Sequence, residues 1–128
     1  MKAWIAYHAE DIAKTNDLNE YYPKVDRLTT ELKYFQIKGD DLQKDFDNLN
    51  VLHAWMGNLD YAISVQNKQG LETAETYDEL KEAFKYFIEL LHDLDIVIND
   101  DGNGETFGVT HQLDGNKVKE MEKFIYIN

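Results

Sequence analysis

Leu94-Asp95-Ile96-Val97-Ile98-Asn99-Asp100-Asp101-Gly102-Asn103-Gly104-Glu105-Thr106-Phe107-Gly108-Val109-Thr110 is the stretch on which the fold turns. Its first part, Ile96-Val97-Ile98, is a β-branched run, and such residues favour strands because their side chains suit a pleated surface. The Asn, Asp and Gly residues that follow supply the positive φ of tight turns. Thr106–Thr110 then resembles a second short strand. The pattern predicts an antiparallel hairpin near residues 95–113 with a glycine-rich loop.

Working outward, the segment before this run is helical. Thr76 and Glu79 have the spacing of a capping box, and Leu80, Phe84, Phe87, Leu91 and Leu94 form one apolar stripe. Upstream of it, a third segment opens at Asp40 as N-cap, with a seam of Leu42, Phe46, Leu49, His53, Met56, Asp60 and Ile63. Asn48, Asn50, Gly57 and Asn58 are poor helix formers, so residues 40–66 fit one bent helix or two shorter ones. Before that, Pro23 suits a first helical turn, and Val25, Leu28, Leu32 and Phe35 recur at helical spacing up to Lys38-Gly39. Trp4, Ile5, His8 and Ile12 fit a first helix or a short strand. After the turn Asp114-Gly115-Asn116, residues Val118, Met121, Phe124 and Ile125 fit a helix, although Phe124–Ile127 fits a strand equally well. The expected fold is α+β and predominantly α: about four helices around one core, with a small antiparallel hairpin.

A chain of 128 residues supports one core and one domain, 1–128. Hydrophobic residues at 43% argue against general disorder. Cysteine is absent, which removes disulfides, thiolate nucleophiles and cysteine-type zinc sites. No apolar run approaches the ~20 residues of a membrane span, and Met1–His8 turns polar too early for a signal peptide. The expected location is cytoplasmic.

Charge is the strongest signal. The net charge is −12, and residues 72–105 hold eleven acids against only Lys81 and Lys85. A field of this sign repels nucleic acid and anionic membranes and attracts basic proteins. Glu75, Asp78, Glu82, Glu89 and Asp93 fall on one side of the fourth helix, away from its apolar stripe. Tyr86 lies beside them, and Asp95, Asp100, Asp101 and Glu105 continue the charge into the loop. These ten residues are the candidate partner-binding set. Acids in the last turns of a helix oppose its dipole, which favours a binding role over a solvated face. Five carboxylates over about 27 Å of helix are too sparse to copy a DNA strand, which would place about eight phosphates there.

Other chemistries are weaker. Asn99, Asp101, Asn103 and Gly104 match the first, third, fifth and sixth positions of an EF-hand loop, but Thr110 stands where the bidentate glutamate belongs. Glu89 and His92 have the Glu-x-x-His spacing of di-iron bundles without a second copy. His53 and Asp60, one heptad apart, fit a buried polar pair or an acid–base site, with a satisfied core histidine, or a helix rotated away from that register, the commoner outcome. No catalytic motif, metal site or cofactor is assigned.

The expected function is that of a non-enzymatic acidic interaction protein. It would bind and inhibit a basic, nucleic-acid-handling protein, in the manner of phage anti-CRISPR or anti-restriction inhibitors. The alternatives are an immunity or antitoxin-like protein that neutralises a basic toxin, and a small calcium-responsive regulatory domain built on the 99–105 loop.

Overall fold

The apolar spacing that begins at Leu80 does not stop at Leu94. Ile98 lies one helical turn beyond Leu94 on the same stripe, and the helix continues through it. A computed structural model, which describes residues 1–127, contains α1 (Lys2–Ala13), α2 (Leu18–Leu32), α3 (Asp40–Lys68), α4 (Ala74–Asn99) and α5 (Val118–Ile127). Among the described residues there is no strand. The expected hairpin is therefore replaced by the last turns of α4 and an irregular loop, residues 100–117. The described residues form an all-α fold with five helices, not α+β with four.

Magnitudes account for the difference. Three β-branched residues cost a helix at most about 0.7 kcal/mol each. Full burial of one isoleucine returns about 1.5–3 kcal/mol. Ile96 is 6% exposed under the loop, and Ile98 packs against the core. Burial outweighs propensity here.

α4 is the hub of the core. It runs against α3 and α1, and it buries Leu80, Ala83, Phe84, Tyr86, Phe87, Leu90, Leu91 and Leu94. α3 is a single helix of 29 residues. It buries Asp45, Phe46, Asn48, Leu49, Leu52, Met56, Leu59 and Ile63, so Phe46, Leu49, Met56 and Ile63 of the expected seam are inside, while Leu52 and Leu59 take the places expected of His53 and Asp60. In that register His53 falls at the edge and bonds Asp26 of α2, while Asp60 is exposed. The two do not form a pair.

Caps also differ from expectation. Gly39, with φ 98°, occupies the N-cap of α3, so Asp40 is its first helical residue. α4 starts at Ala74, and the Thr76 hydroxyl donates to Gln66 Oε1 at 3.0 Å instead of capping its own helix. α3 ends where Gly70, at φ 71°, reverses the chain. The Gly70 amide returns to Asn67 O and the Leu71 amide to Gln66 O, satisfying two terminal carbonyls. Pro23 is interior to α2, which begins well before it, at Leu18. α5 is helical through its whole length, with Val118, Met121 and Ile125 buried.

Candidate interaction surface

The acidic segment separates into three environments. On the first half of α4, Glu75 and Asp78 are exposed and Glu82 is half-buried, with Lys85 Nζ 3.5 Å from Glu82. Glu89, two turns beyond Glu82 on the same row, is half-buried. Burial raises its carboxyl above the usual range, and Asp93 and Glu82 add to this against Lys85 and Lys117.

Tyr86 and Asp93, also two turns apart, leave the surface altogether. Tyr86 is 4% exposed, its ring centre 5.4 Å from that of Phe124 on α5. Burial raises its phenol, with Glu120, Glu82 and Glu89 reinforcing the effect. Asp93 is fully buried and accepts three backbone N–H groups: Phe107 at 2.9 Å, Gly108 at 3.0 Å and Val109 at 3.1 Å. These two members of the expected binding set are inside because α5 and the loop lie over that edge of α4. The electrostatic argument at the helix end changes as well. α4 runs on to Asn99, so Glu89, Asp93 and Asp95 precede its final turn.

A second buried carboxylate works from α3. Asp45 accepts the His111 amide at 2.6 Å and the Gln112 amide at 3.0 Å. Burial raises its pKa, against the lowering effect of those two bonds. Residues 107–112 thus pair with two side chains where a hairpin would have paired with a strand. Beside this clamp, Glu122 of α5 accepts from Asn48 at 3.0 Å and meets His111 Nε2 at 2.9 Å, while the Tyr126 hydroxyl donates to Asn48 at 2.7 Å. Burial pushes the Glu122 carboxyl up, but the bonds from His111 and Asn48 prevail and hold it low. Sequence reasoning missed Asp45, Asn48, Glu122 and Tyr126. The available signal was Asp45 itself, an acid on the true apolar seam of α3.

The third environment is a cleft of about 500 Å³ at the end of α4. Asp95, Asp100 and Glu105 line it with His92, Ile96 and Phe107. Phe107 is 43% exposed and meets the His92 ring edge-on at 5.1 Å. His92 Nε2 bonds the Glu105 carbonyl at 3.0 Å, which fixes this wall. Asp101, at φ 51°, is exposed in the adjoining turn.

The EF-hand-like positions do not converge. The Asn99 amide donates to the Lys2 carbonyl and to Asp95 Oδ1, tying α4 to α1. Among the described residues, no group of three or more His, Asp or Glu is placed to hold a metal ion. The four histidines lie apart, each with a different acceptor: His8 on Glu31, His53 on Asp26, His92 on Glu105 and His111 on Glu122. No helix of the described residues is long and apolar enough to cross a membrane. No family model, curated protein or solved structure matches the chain.

Proposed function

We propose that this chain is a non-enzymatic acidic protein that binds a basic, nucleic-acid-handling protein and blocks it by occupying its cationic surface. The cleft at the end of α4 carries the reading. Asp95, Asp100 and Glu105 line it together with Ile96 and the exposed Phe107, which is the chemistry an arginine side chain requires. Its guanidinium pairs with carboxylates and stacks on an aromatic face, and arginine is a frequent anchor at interfaces. Glu75, Asp78 and Glu82 extend the same sign of charge along α4, and the net charge of −12 steers a basic partner toward it. Inhibition of a nuclease in the anti-restriction or anti-CRISPR manner is the sharpest form of this proposal.

Binding of an arginine-rich peptide, compared with a lysine peptide of equal charge, tests it. The arginine peptide should bind more tightly, and its affinity should fall steeply with salt. Reversing Asp95, Asp100 and Glu105 to lysine should remove that preference. Equal binding of both peptides, or unchanged affinity after the reversals, defeats the reading. Asp93 is left intact in such a series, because it holds the loop.

A further inference from the structure

Three steps in the loop after α4 place a glycine directly behind a short acid or amide side chain: Asp101-Gly102, Asn103-Gly104 and Asp114-Gly115. The main-chain nitrogen of the following residue can attack such a side chain and close a five-membered imide. Glycine favours the closure, because it has no Cβ to obstruct the approach and the widest choice of backbone angles. Asn103-Gly104 is the chain's one Asn-Gly step. A carboxamide reacts more readily than an ionised carboxylate, which repels the nucleophile.

Hydrogen bonding separates the three. The Gly102 amide donates to Ile96 O at 3.0 Å and the Gly115 amide to Thr110 O at 2.9 Å, so both nitrogens are engaged. The Gly104 amide has no acceptor among the described residues, and the Asn103 carboxamide has no partner there either. Both residues are exposed and lie outside any helix, where water reaches them. Gly104 is also fixed in kind, since a Cβ there would sit 3.0 Å from Ile96 Cδ1. The packing of the loop over α4 thus favours glycine at the reactive position.

We propose that Asn103 is a site of self-modification, at which the Gly104 nitrogen converts the carboxamide through an imide to isoaspartate and aspartate and so reshapes the rim of the acidic cleft. The Gly104 nitrogen gives its proton to hydroxide and bonds to Asn103 Cγ. The Cγ–Nδ2 bond breaks, and the departing nitrogen takes a proton from water and leaves as ammonia. A second water opens the imide, its oxygen bonding to one carbonyl carbon while its proton returns to the Gly104 nitrogen. Breaking the new N–Cγ bond gives aspartate. Breaking the original bond to the Asn103 carbonyl carbon gives isoaspartate. The net change is hydrolysis of an amide to an acid and ammonia, with nothing oxidised or reduced.

Either product adds a carboxylate to a loop that already carries Asp100, Asp101 and Glu105. Isoaspartate also lengthens the main chain by a methylene between two anchored groups. One is the Asn103 amide, which donates to Asp100 O at 2.9 Å; the other is the Glu105 carbonyl, 3.0 Å from His92 Nε2. Gly104 and Glu105 line the cleft, so its wall must shift to absorb the added length. This chemistry is independent of the partner proposed for the cleft.

The test incubates the full chain, in native buffer and in urea, from neutral to mildly alkaline pH, and maps its peptides by mass spectrometry. Asn103 should be lost in native buffer about as fast as in urea, in proportion to hydroxide and ahead of every other asparagine, with isoaspartate the main product. Asn103→Gln, a change at an exposed position whose longer side chain closes a ring slowly, should abolish the early ammonia release without altering the melting temperature. The converted chain should show a shifted His92 ring-nitrogen resonance, whereas Asn103→Asp, which adds the charge alone, should leave it nearly in place. The proposal is overturned if Asn103 persists in native buffer while it is lost in urea, or if isoaspartate forms at Asp101 or Asp114 as early as at Asn103. A His92 resonance unmoved by conversion, or moved as far by Asn103→Asp, overturns the reshaping of the cleft.

Discussion

Asp45 on α3 and Asp93 on α4 hold one loop from two helices, Asp93 through the amides of residues 107–109 and Asp45 through those of 111 and 112. Thr110, 1% exposed, is suspended between them. A segment that looks like a strand by composition is thus satisfied by side chains.

The two carboxylates should differ in worth. Hydrogen bonds to a charged acceptor contribute about 1.5–3 kcal/mol each, and a buried donor left unpaired costs about 1–3 kcal/mol. Asp93→Asn turns an amide NH2 toward backbone donors and should cost about 3 kcal/mol or more in urea unfolding. Asp45 accepts two bonds, and burial already disfavours its charge. Asp45→Asn should cost clearly less, and equal losses would contradict this ordering.

Gly115 is the tightest point of the loop. A Cβ there would sit 2.2 Å from the Gly108 carbonyl oxygen, which is backbone and already accepts the Lys117 amide at 2.8 Å. Gly115→Ala should therefore lower the melting temperature sharply, by roughly 4 °C per kcal/mol of lost stability for a chain of this size. Gly57→Ala, where a Cβ meets nothing within 4 Å in the middle of α3, should raise it.

Glu89 should respond to pH in the sense opposite to most paired acids. Its folded pKa is raised by burial, so its contribution to stability is present below the unfolded value and is lost as pH rises through the folded one. Glu89→Gln mimics the protonated form. It should stabilise the protein at pH 7, and the gain should vanish below about pH 4. Thermal unfolding across pH 3–8 measures this.

Glu122 has the reverse sign. Its folded pKa is lowered, so its stabilisation is present above the unfolded value and is lost as pH falls through the folded one. Glu122→Gln should flatten the acid limb of the stability profile and cost stability at pH 7. An unchanged acid limb would show that His111 and Asn48 do not support this carboxylate.

The sequence made the helices legible wherever apolar spacing and burial agreed. The stripe from Leu80 to Leu94 and the set Ile5, His8 and Ile12 are buried as their periodicity implies. The register of α3 was harder. Phe46, Leu49, Met56 and Ile63 of the expected seam are buried, and only long-range packing turns Leu52 and Leu59 inward in place of His53 and Asp60. Ile96-Val97-Ile98 misled because intrinsic preference is a small term beside burial. The acidic surface was legible as composition only. Which acids turn inward depends on α5 and the loop lying over Tyr86 and Asp93, and nothing local to those residues announces the cover.

The Asp45 clamp joins residues 66 and 67 positions apart along the chain. Its bonds cannot close until α3 and α4 are already side by side. Closure of this clamp is therefore expected late in folding, after the helical core has passed its barrier. Loss of the Asp45 carboxylate should accordingly accelerate unfolding while leaving the refolding rate nearly untouched. On that expectation Asp45 governs how long the native state lasts more than how fast it is reached.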